Sequence, residues 1–190
     1  MTLQQHGEKG VTTWLAEAFD PRLQVVRLHC NIQSHRYAKL MLNASLDPVA
    51  AVIGGCVGDV FRRGDSFRAF KVLLSEALQV AHAAGWQLAA IQGFRPQNLS
   101  RIFATPFVRA VAAYVASKQA RCVSSTLARE IVRGELGEAA HLCGAIATEG
   151  ARLGVATPAH VRAMDVLRQI SGTPGGNGGR PDLAGQLLQI

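Results

Sequence analysis

His35-Arg36-Tyr37-Ala38-Lys39-Leu40-Met41-Leu42-Asn43-Ala44-Ser45-Leu46-Asp47-Pro48 reads as an amphipathic helix. Tyr37, Leu40, Met41, Ala44 and Leu46 form an apolar stripe near the helical period. Lys39, Asn43 and Asp47 follow at i, i+4 and i+8, and so fall within about 80° of one another on one face. Two readings of that polar face stay open. One is the solvated side that any amphipathic helix presents. The other is an ammonium, an amide and a carboxylate arranged to hold a small polar anion. Pro48 has no N–H to donate, so it must kink this helix or open a new one.

Helical signals continue outward. Val49–Val60 is apolar and broken by glycine, and Gly64-Asp65-Ser66 is a turn with an N-cap in Asp65 or Ser66. Phe70, Leu73, Leu74, Ala77, Leu78 and Ala81 recur at three and four, which predicts a helix over Phe67–Ala84 stopped by Gly85. Residues 86–105 hold Gly93, Pro96 and Asn98 and read as a weakly structured linker. Further helices are expected over Pro106–Lys118, over Ala120–Arg133 ending at Gly134, and over Leu136–Leu153 ending at Gly154. Thr157-Pro158 reads as an N-cap followed by proline at the first helical position, opening a last helix to about Ile170. The Gly/Pro-rich stretch Gly172–Pro181 reads as a mobile linker, and Leu183–Ile190 as a terminal segment that docks or frays. On the N-terminal side the reading is ambiguous, with a short helix over Val11–Phe19 and a strand over Leu23–Leu28 as options. The fold class expected is all-α, a multi-helix bundle. The segments expected are a lead-in over 1–33, a helical domain over 34–171 and a tail over 172–190. No internal repeat is found.

Composition agrees. The 190 residues are 48% hydrophobic, only 17% charged and 6% aromatic, which suits close-packed helices better than a β-sandwich. The net charge is +7 and the pI about 9.8. Arginines are scattered, no Lys/Arg run exceeds two residues and no aromatics interleave with them, so a dedicated nucleic-acid binder ranks last among the functions considered. Cys30, Cys56, Cys122 and Cys143 form no CxxC pair, and buried free thiols in a reducing cytoplasm are expected rather than a zinc site. His82, His141 and His160 lack metal-ligand spacing and read as surface or boundary residues. Met1–Gly10 carries no signal-peptide hydrophobic region, and the longest apolar stretch, Val49–Val57, is too short to span a bilayer.

No dinucleotide cradle is legible. Gly54-Gly55-Cys56-Val57-Gly58 supplies only half of a G-x-G-x-x-G fingerprint, with Ile53 where the first glycine belongs. No acidic residue stands about twenty positions on at the end of a second strand. Those glycines read as a bend or a close helix contact, and Gly175–Gly179 as a flexible linker.

The decisive helix resembles a known signature. Ketopantoate reductases carry Trp-x-Lys-Leu-x-x-Asn-x-x-x-Asn-Pro in the first helix of the C-terminal domain, and Tyr37–Pro48 is in step with it throughout. Ser124-Ser125-Thr126 leading to Arg133-Gly134-Glu135-Leu136-Gly137-Glu138 and on to Cys143-Gly144 is similar to the family's second signature. Leu153-Gly154-Val155-Ala156-Thr157-Pro158 resembles its closing Gly-Val-x-x-Pro, and Asn31-Ile32 the Asp-Ile that precedes the lysine helix. The resemblance spans about residues 25–171. Four departures stand out: Tyr37 for tryptophan, Asp47 for the second asparagine, Gly137 for threonine and Cys143 for the asparagine before glycine.

The resemblance implies the helical C-terminal domain of a 2-dehydropantoate 2-reductase, with a fold like the 6-phosphogluconate dehydrogenase C-terminal domain. It implies Lys39 as catalytic acid, Glu138 bonding the substrate hydroxyl, and Asn43 and Asp47 in the substrate site. Ser125 or Thr126 would supply a hydroxyl for the carboxylate. It implies NADPH as cofactor and a small 2-oxo acid as substrate. No NADPH is expected to bind this chain alone, and a separate NADP-binding chain is the partner it would then need. A homodimer in the cytoplasm, with no membrane or nucleic-acid partner, is also expected. The alternative is a non-catalytic helical binding or dimerisation module that has lost the reductase activity.

Overall fold

The structure, a computed structural model, describes residues 32–90, 138–171 and 181–188, together with Arg95, Pro96, Asn98 and Thr105. The chain divides into two compact units, Met1–Ile32 and Gln33–Ile190, and the described residues other than Ile32 belong to the second. Expectations for Val11–Phe19, Leu23–Leu28, Pro106–Lys118, Ala120–Arg133 and Gly172–Gly179 lie outside the described residues. Among the described residues the regular structure is all helical: α1 (Ile32–Ile53), α2 (Val57–Arg62), α3 (Gly64–Ala83), α4 (Glu138–Leu153), α5 (Pro158–Ser171) and a terminal 3₁₀ segment (Pro181–Leu188).

The core is the common inner side of these helices. Met41, Val49 and Val52 of α1 pack with Phe70, Leu73, Leu74 and Val80 of α3, Ile146 of α4 and Val166 of α5, all fully buried. Each such side chain contributes roughly 1.5–3 kcal/mol by leaving water. Phe61, Phe67 and Phe70 form an aromatic knot where α2 meets α3, with the Phe61 and Phe70 rings edge-on at 5.6 Å between centroids. Leu187 and Ala184 of the 3₁₀ segment are buried in the same core, and Arg162 Nε donates to the Gln186 carbonyl at 3.2 Å. Of the two outcomes left open for the terminus, Pro181–Leu188 therefore docks.

The ends of the helices follow from local chemistry. α3 and α4 both close on a glycine in the left-handed region, Gly85 at φ 67° and Gly154 at φ 70°. In each, the glycine N–H and the following N–H turn back to the helix: Gly85 to His82 and Trp86 to Ala81, Gly154 to Ala151 and Val155 to Gly150. This double closure satisfies two carbonyls that the helix leaves open. It was readable from the glycines. The start of α3 was not: the cap falls on Arg63, in extended conformation, and Asp65 and Ser66 already lie in the first turn. The reason is that Arg63 also ends α2, its N–H bonded to the Asp59 carbonyl, so one extended residue is all that separates the two helices. In the stretch read as linker, residues 86–90 carry no regular structure, but Pro96 and Asn98 are helical.

On the surface, Asp59–Arg62, Asp65–Arg68, Glu149–Arg152 and Asp165–Arg168 are i,i+3 pairs with the acid nearer the N-terminus. That order suits the helix dipole, and solvent screening leaves such exposed pairs little weight in stability. No helix among the described residues is long and apolar enough to cross a membrane.

Candidate functional site

α1 runs unbroken through Pro48, so Lys39, Asn43 and Asp47 do share one flank, spread over about 12 Å of helix rise. The opposite side, Ala38, Met41, Ala44 and Ser45, is buried. Along the polar flank burial deepens. Lys39 is exposed, whereas Asn43 and Asp47 are half-buried. The flank thus leads from solvent toward the packed part of the domain.

Pro48 explains what happens at that deeper end. A proline inside a helix cannot bond the carbonyl four residues back. Here that carbonyl is Ala44 O, and the buried Cys143 thiol of α4 donates to it across 3.8 Å. One turn earlier, Ser45 Oγ donates to the Met41 carbonyl at 2.8 Å. The start of the flank is held differently. Tyr37 stacks flat on Trp86, with ring centroids 4.3 Å apart and planes 6° from parallel, and the Ala89 N–H bonds the Ser34 carbonyl at 3.2 Å. Trp86 is a residue that sequence reasoning missed. It lies just past Gly85 in a stretch without periodicity, so nothing local marked it.

Asp47 and Cys143 are two of the positions at which this chain departs from the family signature, and the thiol meets α1 at Ala44, three residues before Asp47. Burial raises the pKa of the Cys143 thiol to about 12, and the nearby charges of Asp47 and Glu76 add to the rise. The thiol is therefore neutral and inert at ordinary pH. Because its folded pKa lies above the unfolded value, the stability it lends is complete below about pH 9 and is lost as pH climbs toward 12. Wild-type protein is expected to lose more urea resistance between pH 8 and 11 than Cys143→Val does. Equal losses would show that the thiol does not stay protonated in the fold.

A second buried polar group joins α3 to α5. Glu76 accepts the Ala159 N–H at 2.8 Å and the His160 N–H at 3.1 Å, and its Oε2 lies 2.8 Å from His160 Nδ1. Thr157 and Pro158 do open α5 as their order suggests, the Thr157 carbonyl accepting the Val161 N–H. The carboxylate that satisfies the free N–H groups of the first turn, however, comes from 83 residues away. This corrects the boundary reading of His160, whose side chain is wholly buried, while His82 and His141 are exposed. Of the cysteines, Cys56 and Cys143 are free and buried, and Cys30 and Cys122 lie outside the described residues. No cluster of metal ligands occurs among the described residues.

The half fingerprint does not fit a dinucleotide. Gly54 and Gly55 link helix to helix, and α2 is only six residues long. Its first-turn anion position is filled from within: Asp59 Oδ2 accepts from Cys56 N at 3.0 Å and from Cys56 Sγ at 3.1 Å. The Cys56 N–H, foremost, holds the Asp59 carboxyl below its usual range. A Cβ on Gly55 would meet that carboxylate at 2.9 Å. The glycine makes room for Asp59, and a pyrophosphate there would face a negative charge.

Glu138 opens α4, five residues before Cys143, although its side chain, like Ser125 and Thr126, lies outside the described residues. The structure therefore sets Lys39, Asn43 and Asp47 on one flank and joins α1, at Ala44, to the helix that Glu138 begins.

Comparison with curated proteins and with solved structures finds no significant match. A family model does match: it is described as ketopantoate reductase PanE/ApbA C terminal, and it covers residues 31–171. That span takes in α1 through α5, with the lysine flank, the Glu138 helix and the Thr157-Pro158 helix start in their expected order. The chain belongs to the ketopantoate reductase C-terminal domain family.

Proposed function

We propose that this chain is the substrate-side domain of a 2-dehydropantoate 2-reductase-type oxidoreductase that reduces a small 2-oxo acid. The observation that carries the reading is the flank of α1, inside the matched family span, where an exposed ammonium leads to a half-buried amide and carboxylate. In the reaction class, C2 of the 2-oxo acid gains a hydride and its oxygen a proton. Negative charge grows on that oxygen, and Lys39 is assigned to stabilise it and deliver the proton. Asn43 is assigned to orient the substrate, Ser125 or Thr126 to bond its carboxylate, and Glu138 to accept from its hydroxyl. Asp47, half-buried on the same flank, tunes the charge there.

NADPH is the hydride donor that the family implies. The Gly54–Gly58 stretch offers its pyrophosphate no fit, and we assign the nucleotide's place to another domain or chain because the family resemblance implies one. A homodimer in the cytoplasm completes the proposal.

Titration calorimetry of the chain with ketopantoate tests it. Saturable binding is expected, with about tenfold weaker affinity in Asn43→Ala, the loss of one good hydrogen bond. No binding, or binding indifferent to Asn43, contradicts the assignment. The second reading, a non-catalytic binding or dimerisation module, gains from Asp47 and Cys143, which both replace family asparagines. It predicts that turnover in a protein rejoined to a nucleotide-binding domain is absent.

A further inference from the structure

We propose that Cys143 is a positioning residue for the α1 flank: its thiol takes over the carbonyl that Pro48 leaves open and so fixes the Asn43–Asp47 turn against α4. The inference rests on the substrate-site reading above and extends it to a residue with no place in that site.

Three observations meet at one point. Pro48 lies inside α1, is buried, and has no N–H. Ala44 O, the acceptor it fails to serve, is bonded by Cys143 Sγ at 3.8 Å, with Ala44 and Cys143 both fully buried. Asp47, the residue before Pro48, lies near enough to Cys143 for its charge to act on the thiol. A buried carbonyl without a donor costs about 1–3 kcal/mol, so a donor is required there. The sulfur–oxygen bond is weak, and its position gives it meaning. It ties the turn of α1 just before Pro48, bounded by Asn43 and Asp47, to the helix that Glu138 begins. A water in place of the thiol would satisfy the carbonyl too, but it would leave that turn untethered to α4. Cys143 thus sets register between two elements that the site reading requires to act together, and touches no substrate.

A double-mutant cycle isolates this role. In Cys143→Ala the donor is lost. In Pro48→Ala the helix supplies its own N–H to Ala44, and the thiol is no longer needed. Cys143→Ala is expected to weaken ketopantoate binding about fivefold with Pro48 present, and by less than about twofold in the Pro48→Ala background, the difference expected for one modest hydrogen bond. The amide side-chain resonance of Asn43 in the free protein should shift in Cys143→Ala and return in the double variant, a readout that a purely structural thiol away from the flank would leave unmoved. The same cycle is read in urea unfolding, where 48 and 143 should be coupled. Equal losses of affinity in both backgrounds, or an Asn43 resonance that ignores both substitutions, overturn the proposal. Coupling in urea with no ketopantoate binding by the wild type would instead overturn the substrate-site reading, leave the thiol a structural tie only, and so overturn its positioning role as well.

Discussion

Glu76→Ala is expected to cost the domain about 3–5 kcal/mol, a large share of the 5–15 kcal/mol that holds a typical domain together. The carboxylate accepts three donors at once: the Ala159 and His160 N–H groups and the His160 ring at Nδ1. With the carboxylate accepting, the ring hydrogen sits on Nδ1, and the other ring nitrogen, Nε2, is buried without a hydrogen-bond partner among the described residues. Alanine would leave two backbone donors and both ring nitrogens unpaired in the core, and would remove the negative charge that faces the N-terminus of α5. Glu76→Gln keeps one acceptor oxygen and should cost less than half as much. Urea unfolding at unchanged m-value measures both. A loss below about 1 kcal/mol for the alanine variant would show that α5 is held by its apolar face alone, through Ala163, Val166 and Leu167.

Lys39→Ala, placed in the chain rejoined to a nucleotide-binding domain of the same family, is expected to lower the reduction rate about 10²–10⁴-fold. The chemistry asks for a group that both faces the developing oxyanion and gives up a proton. Lys39→Arg keeps the charge but holds its proton far too tightly, so it should recover substrate affinity better than turnover. Steady-state kinetics separates the two: an acid that acts mainly in the transition state lowers kcat, whereas a lysine used only for binding raises KM with kcat unchanged. A rate unaffected by Lys39→Ala would remove the acid from its assigned place. Lys39 is exposed, so its loss should leave the fold intact and the comparison clean.

How far the sequence reads depends on the range of the interaction. Signals carried within a few residues came through. The stripe on α1, the glycine stops at Gly85 and Gly154 and the Thr157-Pro158 start of α5 each depend on one helical turn, and each is where the chain placed it. The half fingerprint around Gly55 reads as a bend or a close helix contact, and the glycine makes room for Asp59, four residues away. What failed was long-range. His160 looked like a boundary residue because its partner, Glu76, sits 84 positions earlier and gives no local sign of its role. Pro48 was expected to kink or restart a helix; α1 continues through it, and a donor 99 positions from Ala44 serves the carbonyl it leaves open. Arg63 became a cap because two helices abut, which no single-helix rule anticipates. For the site, the residues rest on the resemblance to the family signature, and what the structure adds is that Lys39, Asn43 and Asp47 lie along one flank of α1. That Cys143, a departure from the signature, bonds the Ala44 carbonyl three residues before Asp47, another departure, was visible only once α1 and α4 were packed.

The central proposal is that Lys39 and Asn43 of α1 and Glu138, at the start of α4, serve one substrate site. Resonance mapping of the isotopically labelled chain during a ketopantoate titration tests it most directly. The account predicts concerted shifts at the Lys39 ammonium, the Asn43 side-chain amide and the Glu138 carboxyl that saturate at a single dissociation constant. Shifts that spare Glu138 while α1 responds, or that gather on some other surface, would contradict it.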